Sequence, residues 1–198
     1  KKFDLPITQK EARIKLGLPV SGYFAVYTGH LYSWKGVDVL AEAAIMLSSR
    51  VQVFLVGVTK HDVDRFRRHY SNVKNLFIIG HRYHAEIPLW QKAADVLILP
   101  NTAKEDISKY YTSPMKLFEY AASGRPIIAS RLPSITDMVD DQCVFFVAPD
   151  NPTELAQTIE EVCGNATLSE SKSAQAYRWV SAHTWKERAL RITSFICL

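Results

Sequence analysis

Apolar residues occur along this chain in two patterns, which predict two kinds of element. Continuous apolar runs predict six short buried strands, at residues 23–28, 51–56, 76–79, 96–99, 127–129 and 144–148. Apolar residues at helical spacing predict helices at residues 9–16, 37–47, 62–70, 85–93, 153–163, 169–182 and 185–195, and a helical turn is expected around Asp137. This alternation is typical of an α/β fold, a parallel sheet of about six strands with helices on both faces.

Several predicted strands end at a glycine or proline that polar residues follow. Gly29, Gly57, Gly80 and Pro100 close four of them. Ligands of parallel sheets bind where the carboxyl ends of the strands meet, so the polar residues after these positions are the candidate site residues. Residues 101–112 are polar and predict an irregular loop.

The segment 113–130, SPMKLFEYAASGRPIIAS, predicts a further helix and the strand after it. Ser113 suits the N-cap, and Pro114 suits the first helical position because its missing N–H costs nothing there. Gly124 suits the left-handed residue after a helix end, and Pro126 stops the helix before the apolar strand.

The start of this predicted helix is a candidate anion site. The N–H groups of Met115, Lys116 and Leu117 are expected to be free at the positive end of the helix. Glu119 follows one turn later, and a carboxylate beside an anion site suits ribose hydroxyls. An ordinary capped helix that leads into a buried strand is the alternative interpretation of the same residues.

Composition and charge narrow the function classes. The chain has 198 residues, of which 47% are hydrophobic and 22% charged, as expected for one globular domain spanning residues 1–198. The net charge of +4 comes from scattered Lys and Arg residues, which argues against a nucleic-acid surface and suits an anionic ligand.

The cysteines and the ends of the chain bear on its cellular context. Cys143, Cys163 and Cys197 have no CxxC spacing and predict reduced packing residues of a cytosolic protein. No apolar run reaches transmembrane length. The chain starts at Lys1 rather than Met, and we expect it to be part of a longer protein.

Residues 29–40, GHLYSWKGVDVL, resemble the G-R-L-x-x-x-K-G-x-D-x-L signature of the retaining glycosyltransferases of family 4, which have the GT-B fold. Gly80 with its polar loop, the strand before Pro100 and the segment 113–130 follow in that family's order and spacing. The resemblance implies the C-terminal, nucleotide-sugar-binding half of a GT-B fold, which is Rossmann-like. A helix at residues 184–198 is then expected to pack near the N-terminal half, which this chain lacks.

The resemblance also implies roles for particular residues. Lys35 is expected to bind the diphosphate of the donor and, with His30, to stabilise the leaving group. Glu119 is expected to bind the ribose, and the loop at residues 80–83 the base. The expected donor-binding residues are Gly29, Lys35, Arg82, Tyr83, Ser113, Met115, Lys116, Leu117 and Glu119.

Two positions depart from the family pattern. His30 stands where the family has arginine, and histidine is only partly charged at neutral pH, so the hold on phosphate is expected to be weaker. Tyr111 stands where the family often has a glutamate that contacts the donor sugar. Contacts to the sugar are then expected from the loop at residues 101–112, where Glu105 and Asp106 are available.

The function implied is transfer of a sugar from a nucleoside-diphosphate sugar, a UDP-sugar ahead of a GDP-sugar, to the hydroxyl of a carbohydrate or lipid-linked acceptor. It belongs to polysaccharide or glycolipid biosynthesis, needs no cofactor, metal or nucleic acid, and is cytoplasmic with peripheral contact at the inner face of the membrane. His81 and His84 find no third metal ligand at a suitable spacing.

Two alternatives remain open from the residues. Half of a nucleotide-sugar epimerase would have the same fold, although no set of cleft carboxylates is evident. The second alternative is a regulatory domain that binds a nucleotide and catalyses no reaction. A receiver domain of this kind would need acidic residues at the end of the first strand, where Gly29, His30 and Leu31 stand instead.

Overall fold

The computed structural model describes residues 2–196, except for the side chain of Arg191, so Cys197 and the end of the predicted 184–198 helix lie outside it. The strands are β1 (Tyr23–Thr28), β2 (Val51–Val58), β3 (Leu76–Gly80), β4 (Val96–Leu99), β5 (Ile127–Ser130) and β6 (Phe145–Val147). The α-helices are α1 (Gln9–Lys15), α2 (Val37–Met46), α3 (Lys60–His69), α4 (Ile87–Ala93), α5 (Met115–Ala122), α6 (Pro133–Thr136), α7 (Pro152–Gly164), α8 (Ala166–Ser181) and α9 (Trp185–Ile196). A 3-10 turn at Ser33–Lys35 and a π-helix at Ile107–Tyr111 complete the described elements.

The six strands form one parallel sheet in the order β3-β2-β1-β4-β5-β6. The chain builds outwards from β1 to β3 and then returns to add β4 on the other side of β1. Strand order therefore reverses between β1 and β4, and in doubly wound sheets the crevice at the carboxyl end of this switch point binds ligands. The predicted Rossmann-like α/β fold is confirmed.

Helices cover both faces of the sheet, and each face has its own core. Along β1, Ala25 and Tyr27 pack into the core beneath α2, α3 and α7. Phe24 and Val26, which point the other way, pack into the core beneath α4, α5 and α8. Because both faces are buried, the strands are apolar throughout, and this is why their sequence pattern was continuous rather than alternating.

Two helices begin at residues other than the predicted ones, and a capping residue or a proline lies at each of these helix starts. The helix predicted at residues 62–70 begins earlier, at Lys60, because the Thr59 side chain accepts a hydrogen bond from the N–H of Asp62. The helix predicted at residues 85–93 begins later, at Ile87, with Pro88 in its first turn.

The helical turn predicted around Asp137 is present as α6, with Asp137 as its C-cap residue. The prediction for residues 101–112 is wrong in part. The predicted loop at residues 101–112 contains the π-helix, in which the Ser108 carbonyl accepts a 2.6 Å hydrogen bond from Ser134 Oγ. That contact joins segments far apart in sequence, so a local pattern does not reveal it.

The described cysteines are free thiols within the fold. Cys143 is buried, and burial raises the pKa of Cys163 to about 12, which keeps that thiol protonated. Within residues 2–196, no helix combines the length and the apolar character needed to cross a membrane.

Candidate functional site

Lys35 lies at the switch point of the sheet, in the loop that joins β1 to α2. The loop passes through the 3-10 turn, and Gly36 ends it with the left-handed φ of +62°. Lys35 is half-buried, and its Nζ stands 3.5 Å from the centroid of the Trp34 ring. Burial and, to a smaller extent, the nearby ammonium of Lys116 together lower the pKa of Lys35 to about 8.

Lys116 brings a second ammonium to the same place from the first turn of α5. A Cβ atom at Gly29 would lie 2.6 Å from Lys116 Nζ, so only glycine leaves room for this lysine at the end of β1. Gly29 also adopts a φ of +131°, which side chains disfavour. Burial lowers the pKa of Lys116, and Glu119 opposes that effect.

The start of α5 differs from the prediction in two respects and agrees with it in a third. Pro114 is the N-cap residue, with extended ψ of 105°, while Ser113 Oγ points to Met138 Sδ at 3.7 Å and caps nothing. The Leu117 amide is not free, because it donates to the Pro114 carbonyl at 3.0 Å. In the described chain, the amides of Met115 and Lys116 have no partner and remain available to a ligand.

Glu119 stands one turn beyond Lys116 on the same face of α5. Burial raises the pKa of its carboxyl group, while Lys116 and then His84 act in the opposite direction. The Gln91 side chain, fully buried on α4, lies beside it. A carboxylate therefore adjoins the paired ammonium groups without neutralising both of them.

Tyr120 fixes α5 to the end of β1. Its hydroxyl oxygen accepts a 3.0 Å hydrogen bond from the N–H of Thr28, and its side chain is fully buried. Lys116 and Glu119 flank this anchor on the same helix. Their spacing relative to the Lys35 loop is consequently set by a packed contact rather than by solvent-exposed side chains.

The remaining predicted site residues are more peripheral. His30 is exposed, and its ring packs against Tyr32 with 5.6 Å between centroids. Arg82 pairs with Glu86 at 3.8 Å, and the Tyr83 side chain is 74% exposed. No described contact joins any of these three side chains to Lys35, so their roles stay predictions.

Ser113 and Met115 line a cleft of about 380 Å³ on an adjacent face of α5. Its other walls include Phe118, Trp179 and Trp185. Trp179 stacks on Phe118 with 5.1 Å between ring centroids. The side chains of Ser113 and Met115 thus line this cleft, while the Met115 amide remains available at the start of α5.

Sequence reasoning missed some neighbours of Glu119. His84 interacts with Glu119 and with Lys2, whose Nζ lies 2.7 Å from the Nδ1 of His84. Gln91 was also missed, although an amide on the apolar face of a helix is an unusual choice that could have marked it.

The structure also locates residues that were considered for contacts to the sugar, and it tests for clusters of metal ligands. Tyr111 ends the π-helix and is 80% exposed, and Asp106 is exposed at the other end of it. Among residues 2–196, no three His, Cys, Asp or Glu side chains gather closely enough to hold a metal ion. Chemically, the site offers two ammonium groups and two amides to an anion, and a carboxylate to neighbouring hydroxyl groups.

Known proteins resemble this chain over nearly its full length. D-inositol 3-phosphate glycosyltransferase of Jonesia denitrificans is 24% identical over 209 aligned residues, which cover 91% of this chain and 44% of that protein. Sucrose-phosphate synthase from Thermosynechococcus elongatus has a structure that matches with a TM-score of 0.82 at 20% identity, covering 98% of this chain and 49% of that one. The structure of Anabaena HepE in complex with UDP-glucose matches with a TM-score of 0.76 at 20% identity, and the match covers 89% of this chain and 48% of HepE.

These matches share two features. The chain spans less than half the length of the curated relatives it matches. The solved structures, being so distant in sequence, show the GT-B glycosyltransferase fold alone.

The family model described as "Glycosyl transferases group 1" matches residues 23–165, which contain β1 to β6 and every predicted site residue. The chain therefore belongs to the glycosyl transferases group 1 family.

Proposed function

We propose that this chain is the donor-binding domain of a retaining glycosyltransferase of family 4 and that it binds a nucleoside-diphosphate sugar. One observation carries the proposal. Lys35, Lys116 and the free amides at the start of α5 converge at the switch point of the sheet, and Glu119 lies one turn away. Such a site matches a ligand that has a diphosphate next to a ribose.

The ligand is oriented by its charges. The diphosphate lies against the two ammonium groups, where the helix dipole adds to their attraction. The ribose hydroxyls donate to Glu119, and the base lies along residues 80–83. A UDP-sugar is the favoured donor, in keeping with the UDP-glucose complex of HepE.

The same groups would assist the reaction. When the bond between the anomeric carbon and the diphosphate oxygen breaks, negative charge grows on the leaving diphosphate. Lys35 and Lys116, with His30 as a further contributor, would stabilise that charge more than the charge of the bound donor. The acceptor is a hydroxyl of a carbohydrate or lipid-linked molecule, which implies a role in polysaccharide or glycolipid biosynthesis.

A calorimetric titration tests the proposal. The 198-residue chain is titrated with UDP, GDP, ADP, uridine and pyrophosphate at neutral pH. We expect UDP to bind most tightly, pyrophosphate to bind more weakly and uridine more weakly still, since the charged groups of the site face the diphosphate. Binding of none of the nucleoside diphosphates would overturn the proposal, and tighter binding of GDP would overturn only the choice of base.

The Glu119→Ala variant tests the orientation of the ligand. Loss of a charge-assisted hydrogen bond should weaken UDP binding by about 1–3 kcal/mol. Pyrophosphate binding should be unchanged or tighter, because the carboxylate repels phosphate. Glu161→Ala, which removes an exposed carboxylate of α7, is the control. If Glu119→Ala weakened both ligands equally, the assignment of the ribose to Glu119 would be wrong.

A further inference from the structure

Asp150, just beyond β6, has an unusual backbone conformation. Among residues 2–196 it is the single non-glycine residue with positive φ, at +58°. This left-handed conformation brings Cβ close to the backbone and is unfavourable for most side chains, although Asp and Asn tolerate it best. A residue in this conformation is a candidate for a positional role, which the contacts of its side chain test.

Both carboxylate oxygens of Asp150 hold the loop that follows β4. Oδ1 accepts a 2.5 Å hydrogen bond from Thr102 Oγ1, and Oδ2 accepts a 2.9 Å hydrogen bond from the N–H of Ala103. The N–H of Lys104 donates to the same Thr102 hydroxyl at 3.1 Å. The start of the loop is thus tied to the far side of the sheet, two strands away from β4.

That loop in turn supports the backbone on both sides of Lys35. The N–H of Thr102 donates to the carbonyl of Trp34 at 3.4 Å. A Cβ atom at Gly36 would overlap the carbonyl oxygen of Pro100 and lie 3.0 Å from the Thr102 nitrogen. The two loops therefore touch backbone to backbone, and movement of one displaces the other.

We propose that Asp150 is a positioning residue, which holds Lys35 in place for the diphosphate through Thr102 and the loop between β1 and α2. The inference rests on the proposed function for its ligand, and on the geometry alone for the link from Asp150 to Lys35. It gives a use to the left-handed aspartate beyond an edge strand, and it assigns to Thr102, one of the polar residues after Pro100, a specific structural role.

Variants can separate the side chain from the backbone conformation. Asp150→Gly keeps the left-handed conformation without strain and removes both carboxylate bonds. Thr102→Val removes the hydroxyl at nearly constant volume, and Thr102→Ser restores it. We expect Asp150→Gly and Thr102→Val to weaken pyrophosphate and UDP binding about 3- to 10-fold, a part of the usual contribution of charge-assisted hydrogen bonds. Thr102→Ser should bind like the parent.

A double-mutant cycle with Lys35→Ala identifies the route. If Asp150 acts through Lys35, Asp150→Gly should have no further effect on pyrophosphate affinity once Lys35 is Ala. Effects that add in the double variant, or an Asp150→Gly variant with parental affinity, would overturn the proposal. Thr8→Val is the matched control, because it removes another threonine hydroxyl that binds a carboxylate, that of Glu11 at 2.8 Å.

The pKa of Lys35 provides a readout that needs no ligand. It can be followed by NMR of the ¹³C-methylated lysines, with Lys35→Arg to assign the signal. Loosening the loop should expose the ammonium, and its pKa should rise from about 8 towards the ordinary 10.5 in Asp150→Gly. An unchanged pKa would overturn the link, whereas a parent that bound neither UDP nor pyrophosphate would overturn the proposed function and leave this measurement to stand by itself.

Discussion

The protonation of Lys35 links its burial to ligand binding. Burial lowers its pKa to about 8 from an ordinary value of 10.5. Between pH 8 and pH 10.5 the unfolded chain binds more protons at Lys35 than the folded chain does. The free energy of unfolding therefore increases as the pH rises through this range. Holding a charged lysine here therefore costs stability below about pH 8, and an anion that binds it would offset the cost.

Pyrophosphate binding should take up protons near pH 8. About half of the free chains carry a neutral Lys35 at that pH, and the anion favours the charged form, so binding should take up about half a proton at this residue. Calorimetry in two buffers of different ionisation enthalpy measures the uptake. Lys35→Arg keeps the charge at every accessible pH and should show clearly less uptake. Equal uptake by parent and variant would show that Lys116 or the ligand titrates instead.

At the scale of elements, the features predicted well are those set by local chemistry. The strands were found because burial on both faces makes them continuously apolar, and Gly124 takes the left-handed conformation predicted after a helix end, with φ of +69°. The start of α5 was predicted one residue too early, because Ser113 turns to Met138, a contact across 25 positions of sequence. The hydrogen bond between Thr102 and Asp150 joins residues 48 positions apart, so a local sequence pattern does not predict it either.

The buried side chain of Arg13 helps to attach the helix α1 to the sheet. Arg13 is 3% exposed, donates to the carbonyls of Ala93 and Gly22 at 2.9 and 3.1 Å, and pairs with Asp95 at 2.5 Å. Its guanidinium also lies 3.9 Å from the centroid of the Phe24 ring. All these contacts are made at the amino ends of β1 and β4, on the opposite edge of the sheet from Lys35.

Replacing Arg13 should therefore destabilise the fold and leave the donor site intact. We expect Arg13→Ala to lower the free energy of unfolding by about 3–5 kcal/mol, since it removes the ion pair with the partly buried Asp95 and the donor to three backbone carbonyls. Urea denaturation followed by circular dichroism measures the loss.

The control for this variant is Arg50→Ala, whose pair with Glu160 is long, at 3.7 Å, and solvent-exposed. It should cost less than about 1 kcal/mol. The folded fraction of Arg13→Ala should bind UDP with parental affinity, and weakened binding would show that the two edges of the sheet are coupled.

At the scale of the whole molecule, the candidate donor site occupies one open edge of the sheet. His30 and Tyr83 at this edge are exposed. The helix α9 also presents apolar side chains to solvent, with Trp185 69% and Phe195 82% exposed. The prediction that this helix packs near a second domain remains untested, and the curated relatives are more than twice as long as the part that this chain matches.

The 198-residue chain should consequently bind a donor without transferring its sugar. Binding depends on Lys35, Lys116 and Glu119, which one domain supplies, whereas transfer also needs an acceptor held against the anomeric carbon and water kept away from it. A coupled assay measures the release of UDP from UDP-glucose in the presence of candidate acceptors. We expect the rate of release to stay at the level of spontaneous hydrolysis. The affinity for the donor should also be modest, because an open edge buries less of a ligand than a closed cleft does. Turnover by this chain alone would refute the expectation, and transfer by the full-length protein that is lost in Lys35→Ala would distinguish an enzyme from a regulatory domain that only binds the nucleotide.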